Sequence, residues 1–152
     1  MTAGTNAKHL DERLDRFREE CRRRGIKLTH QRLVVFSEVA ATDTHPDAET
    51  VFERVRRKIP TISQDTVYRT LWLLDDLGLV ATLNSFRRVR FDANTDRHHH
   101  FVCTRCGKVA DVYSEEFDHL GVPKETRRLG RVTETHVELR GLCKECLRSG
   151  KQ

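Results

Sequence analysis

The sequence predicts an α+β chain built from two modules, a helical N-terminal half closed by a hairpin and a small C-terminal α/β half held by metal. Three observations carry this. Helix-period apolar stripes with cap or stop residues recur four times before residue 78. Two short extended runs joined by a turn follow them. The C-terminal half then carries Cys103-x2-Cys106, 36 intervening residues, and Cys143-x2-Cys146. The expected boundaries are residues 1–92, a polar linker at 93–97, and residues 98–152.

Composition sets the outer limits. Of 152 residues, 37% are hydrophobic and 34% charged, as in a soluble protein, and no apolar run approaches the ~20 residues of a membrane-spanning helix. Nothing at the N-terminus reads as a secretory signal, so the chain is expected in the cytosol, where disulfides are disfavoured. The formal net charge is +5, with basic runs at Arg22–Arg24, Arg54–Lys58 and Arg87–Arg90. These are candidates for a polyanionic partner or simply solvated helix faces.

Residues 1–8 are small and polar, which predicts disorder. Leu10, Leu14, Phe17 and Cys21 then form a helical stripe stopped by Gly25, which assigns Cys21 to the core. Thr29 is placed to cap a second helix carrying Leu33, Phe36 and Val39, and Asp47 a third carrying Val51, Val55 and Ile59. Thr42–Pro46 between them reads as a turn. Ser63 caps a fourth helix whose buried stripe is Val67, Leu71 and Leu74, leaving Gln64, Asp65, Tyr68 and Arg69 on its exposed N-terminal half. Extended runs at 79–83 and 88–92 complete the order of a winged helix, a fold that inserts its last helix into the DNA major groove. In the second module, strands are expected around His100–Cys103, Lys108–Tyr113 and Arg131–Arg140. A helix-like run lies around Phe117 and Leu120, and Pro123 leaves the extent of a helix between Ser114 and Leu129 open.

The paired cysteines read as a closed structural zinc site formed by Cys103, Cys106, Cys143 and Cys146. Two residues between cysteines let a tight turn aim both sulfurs at one ion, and two such turns complete a tetrahedron. A thioredoxin-like redox pair explains one Cys-x2-Cys and not two. A second set of nitrogen and oxygen donors comprises His45, Asp92, His98, His100 and Asp111. On a strand His98 and His100 share a face while His99 points away, and such donors suit Fe²⁺, Mn²⁺ or Zn²⁺.

Segments 25–32, 63–71, 98–108 and 141–146 resemble the ferric uptake regulator family, and the resemblance spans about Arg13 to Cys146. It implies a bacterial cytoplasmic homodimer, a winged-helix DNA-binding domain followed by a small α/β zinc-containing dimerisation domain, which represses transcription at a pseudo-palindromic double-stranded operator. One structural Zn²⁺ per subunit would sit on the four cysteines. One regulatory Fe²⁺ or Mn²⁺ would sit on His45, Asp92, His98, His100 and Asp111. Tyr68 and Arg69 match residues that contact bases, with Gln64 beside them, and Lys27 matches a basic residue near the minor groove. Aspartate at position 111 is the pattern of peroxide-responsive members, whose oxidation-sensitive histidines match His45 and His98; iron-uptake repressors usually carry glutamate there.

The chain departs from the family pattern at three places. His30 replaces a frequent proline, the wing turn lacks glycines, and His136 is one place off a histidine that serves a further metal site, so no site on His99 and Asp118 is predicted. Two rival readings make different demands on the sequence. A zinc hydrolase or deaminase requires a His-Glu-x2-His or comparable pattern that the sequence does not contain, so no enzyme is predicted. A zinc-ribbon protein binding RNA or another protein without a sensing role would tolerate loss of His45 or Asp92.

Overall fold

A computed structural model describes residues 3–85 and 88–150; the expected wing-turn residues Phe86 and Arg87 lie outside the described residues. The chain divides into two compact units, 1–95 and 96–152.

The first unit contains α1 (Ala3–Arg23), α2 (His30–Ala40), α3 (Ala48–Lys58), α4 (Gln64–Asp76), β1 (Ala81–Ser85) and β2 (Arg88–Asp92). The disorder expected over residues 1–8 is corrected from Ala3 onward. Packing of the stripe from Leu10 supplies the helix nucleus, and extending it through a proline-free stretch containing Ala3 and Ala7 adds little cost. The expected caps form: Thr29, Asp47 and Ser63 accept from the amides of Arg32, Thr50 and Thr66. Both glycine stops build the same terminus. Gly25 (φ 65°) and Gly78 (φ 67°) are left-handed, and the following amides of Ile26 and Leu79 reach back to Cys21 O at 2.8 Å and Leu74 O at 3.0 Å.

This second terminus explains why the first strand starts two residues later than expected. Leu79 and Val80 turn their amides to the helix end and their side chains into the core, so pairing begins only at Ala81. Phe17, Cys21, Val35, Phe36, Val51, Val55, Val67, Leu71, Leu74 and Phe91 fill the core, with the Phe17 and Phe36 rings edge-on at 5.1 Å. Each such side chain contributes about 1.5–3 kcal/mol on burial. Ala93, expected in the linker, is 2% exposed and belongs to this core. The hairpin pairs Ala81 with Asp92 and Ser85 with Arg88.

The second unit contains β3 (His99–Cys103), β4 (Val109–Val112), α5 (Glu115–Asp118), a 3₁₀ turn (Lys124–Arg128), β5 (Glu138–Gly141) and α6 (Lys144–Arg148). Its sheet runs β4-β3-β5, with β4 antiparallel and β5 parallel to the central strand. Two expectations need correction. The helix around Phe117 is a single turn, ended before Gly121 and Pro123. The third strand starts at Glu138: only Glu138–Gly141 pair with β3, and the exposed residues 131–134 lie ahead of that pairing. Around the cysteines the apolar packing consists of Cys103, Cys143 and Cys146 against Phe101. That is too little to hold so small a unit by burial alone.

Among the described residues no helix is long and apolar enough to cross a membrane.

Candidate metal centres and recognition face

The four predicted zinc ligands come together at one end of the second sheet. Cys103 closes β3 and Cys143 precedes α6, and the parallel register places Cys103 opposite Gly141, two residues before Cys143. Cys106 and Cys146 each follow one turn later, and Gly107 permits the first turn with φ 72° while donating to Cys103 O at 2.9 Å. Protein bonds tie the two turns together: Thr104 N to Gly141 O at 2.8 Å, Arg105 to Cys146 O at 2.7 Å, and Lys108 to Glu145 at 3.1 Å.

All four sulfurs lie within 4.8 Å of one another. Cys106 and Cys143 are 3.7 Å apart, close to the ~3.8 Å edge of a tetrahedron with ~2.3 Å metal–sulfur bonds. Two of these thiols differ sharply in proton affinity. Backbone amides of Cys106, then Cys143, hold Cys103 down to about 6, whereas burial and the neighbouring thiols push Cys146 up to about 12. Such a group becomes fully ionised when a divalent ion compensates it. Cys21 is buried in the first unit, as expected for a core thiol.

On the same sheet, strand alternation places His98 and His100 on one face. Their Nε2 atoms are 2.9 Å apart, close to the ~3.0 Å separation of two ligands set at right angles ~2.1 Å from an ion, as in octahedral coordination. Asp111 lies opposite His100 on β4, with Oδ1 3.5 Å from His98 Nε2 and 3.6 Å from His100 Nε2. The His98 Nδ1–H donates to Asp96 O at 2.6 Å, which leaves the Nε2 lone pair of the neutral ring directed at the cluster.

His99 is built differently. Fully buried on the other face, it accepts the Val137 amide at Nδ1 (3.2 Å) and donates Nε2–H to Asp118 (3.2 Å), which also pairs with Arg97 at 3.1 Å. Both nitrogens are thereby engaged within the protein. His136, given no role by the sequence, has Nε2 2.8 Å from His100 Nδ1. Although His136 is exposed as a residue, desolvation of its ring, then the imidazoles of His100, His99 and His98, lower its pKa. In the sequence His136 only alternates with Val137 in the extended run 131–140, and its partner is set by the register that pairs Glu138 with His100.

In the first unit His45 and Asp92 meet, Nε2 to Oδ2, at 3.5 Å, and are 2% and 5% exposed. His45 has φ 52°, the one left-handed non-glycine among the described residues, a conformation that costs about 1–2 kcal/mol. β2 holds it there: Phe91 N bonds Pro46 O at 3.0 Å, Arg90 bonds His45 O at 3.0 Å, and Asp47 bridges to Arg90. The strand that fixes the turn also carries Asp92.

Gln64, Tyr68 and Arg69 are exposed on the N-terminal half of α4, and Lys27 is exposed in the loop before α2. Arg69 rests on Asp65 at 2.9 Å. The Arg22–Arg24 run is engaged with Glu19 and Glu20, Lys58 with Glu38, and Arg56 lies over Phe52, so these charges behave largely as solvated faces.

Residues 23–140 match the model of the ferric uptake regulator family. The chain is 30% identical over 142 residues to the peroxide-responsive repressor of Staphylococcus epidermidis, covering 93% of this chain and 95% of that one. Among solved structures, the ferric uptake regulator of Helicobacter pylori, described with three functional metal-binding sites, superposes with a TM-score of 0.76 at 25% identity over 93% of this chain and 96% of that one. A zinc uptake regulator complexed with zinc and DNA gives 0.64 at 26% identity over 92% and 96%. With the winged-helix order and the two clusters of candidate metal ligands, the match over most of its length establishes that this chain belongs to the ferric uptake regulator family.

Proposed function

We propose that the chain is a homodimeric, metal-dependent transcriptional repressor of the bacterial cytoplasm that binds a pseudo-palindromic DNA operator and releases it on exposure to peroxide. Its structural Zn²⁺ is held by Cys103, Cys106, Cys143 and Cys146. One regulatory Fe²⁺ or Mn²⁺ is held jointly by His45 and Asp92 of the first unit and His98, His100 and Asp111 of the second. The observation that carries this reading is the pairing of Asp111 with His98 and His100, a donor set of two imidazoles and a short carboxylate. The relatives support it, since one is named a peroxide-responsive repressor and another was solved with zinc and DNA.

Ligands drawn from both units let the ion favour one relative arrangement of the DNA-binding and dimerising parts, and a shift from mostly open to mostly closed needs about 10⁴-fold preference. In the closed dimer two copies of α4 address successive major grooves, with Arg69 reading guanine, Tyr68 meeting thymine methyls, and Gln64 and Lys27 contributing at the edges. Iron held by these residues would supply the redox chemistry that Mn²⁺ does not readily supply: in net terms one H₂O₂ and one imidazole C–H give an imidazole carrying one added oxygen, plus one H₂O. His45 or His98 would be the ring modified; it would cease to be a good donor, and the arrangement that binds DNA would be lost.

Peptide mass spectrometry and DNA-binding anisotropy after a brief low-dose peroxide pulse test this. With Fe²⁺, one added oxygen on His45 or His98 should accompany release of DNA; with Mn²⁺, both histidines and the complex should stay intact. Zinc-held thiolates should react more slowly than a residue touching the iron. Unmodified histidines on iron-loaded protein that remains on DNA would assign the chain instead to iron-responsive repression of iron-uptake genes.

A further inference from the structure

We infer that His136 is a positioning residue for the regulatory ion: it accepts the His100 Nδ1 proton and so commits His100 Nε2 to the metal. This rests on the assignment of His98, His100 and Asp111 to that ion. A neutral imidazole can ligate through Nε2 only when its proton sits on Nδ1, and that proton needs an acceptor when the ring is buried. His98 meets the requirement through the main chain, at Asp96 O. His100, 3% exposed, meets it through a side chain, with His136 Nε2 2.8 Å from its Nδ1. His99 shows the opposite case, because its Nδ1 accepts the Val137 amide and its proton is sent from Nε2 to Asp118. The three successive histidines thus carry their protons on Nδ1, Nε2 and Nδ1, and only the first and third present Nε2 to Asp111.

The geometry is local. His136 lies immediately ahead of Val137, whose carbonyl bonds His100 N at 3.1 Å, so the register of this segment against β3 delivers the His136 ring to His100. A glutamine at 136 places its amide oxygen near the position of the imidazole Nε2 and can accept the same proton. Leucine fills similar space and cannot.

The test uses the full-length zinc-loaded protein and measures Mn²⁺ affinity by isothermal titration calorimetry for the wild type, His136→Leu, His136→Gln and His98→Ala, with zinc content and circular dichroism recorded for each. His98→Ala should abolish binding at the site, His136→Leu should weaken it about 10- to 100-fold, and His136→Gln should stay within about threefold of wild type. If His98→Ala leaves Mn²⁺ binding unchanged, the assignment of the site fails, and the inference with it. If His98→Ala abolishes binding while His136→Leu binds as wild type, or His136→Gln falls as far as His136→Leu, the site stands and the role of His136 is refuted. A leucine variant that loses its zinc or its fold, together with a glutamine variant of wild-type affinity, still supports an acceptor at this position; loss in both refutes it.

Discussion

Replacing Asp47 with alanine should loosen the turn that presents His45. The carboxylate accepts the Thr50 amide at 2.8 Å as the cap of α3 and pairs with Arg88 of β2 at 2.6 Å, while the Asp47 main chain bridges to Arg90. Removing a capping aspartate costs about 1 kcal/mol within a range of about 0.5–2. A second route to the magnitude is the acidity of the group. Burial opposes ionisation, but the Thr50 bonds and Arg88 outweigh it and hold Asp47 at about 2 against an ordinary 3.8. That difference sets a ceiling of about 2.5 kcal/mol, to be reduced because Arg88 is well exposed and the pair is screened. Both routes converge on about 1–2 kcal/mol.

The sign follows from the depressed pKa: the stabilisation is complete above about pH 4 and is lost as pH falls through about 2. Trp72, the one tryptophan, packs on Phe91 at 6.0 Å and reports unfolding of the first unit. Urea denaturation followed by Trp72 fluorescence should therefore show the alanine variant less stable by about 1–2 kcal/mol at pH 6, with the gap closing towards pH 2. A gap under about 0.5 kcal/mol at pH 6, or one that does not narrow in acid, would refute the account of this turn.

Cys103→Ser should unfold the second unit and abolish dimerisation, because a closed zinc site contributes about 10 kcal/mol or more that the small cluster around Phe101 cannot replace; a variant still dimeric by sedimentation and cooperatively folded counts against it. Arg69→Ala should weaken operator binding by about 1–3 kcal/mol while sparing random DNA, since its guanidinium stands exposed on α4. Equal losses on both DNAs in an anisotropy titration would place Arg69 on the phosphates instead.

The sequence alone determined the features governed by short-range chemistry. Thr29, Asp47 and Ser63 cap helices because a side-chain oxygen three residues before an amide needs no distant partner. Gly25, Gly78 and Gly107 mark turns because a left-handed backbone favours glycine wherever it occurs. The Cys-x2-Cys pairs and the separation of His98 and His100 from His99 follow from turn geometry and strand alternation.

Tertiary structure decided what depends on partners remote in the chain. Burial of Leu79 and Val80 under α4 delayed the first strand, pairing with β3 confined the third to Glu138–Gly141, and Pro123 with Gly121 reduced the expected helix to one turn. The left-handed φ of His45 is imposed by β2, more than forty residues away, and no local signal announces it. His136 is the sharpest case: alternation alone cannot say which strand a histidine will meet. Only the parallel register of β5 on β3 brings its Nε2 to His100, because a hydrogen bond of 2.8 Å requires both backbones to be fixed.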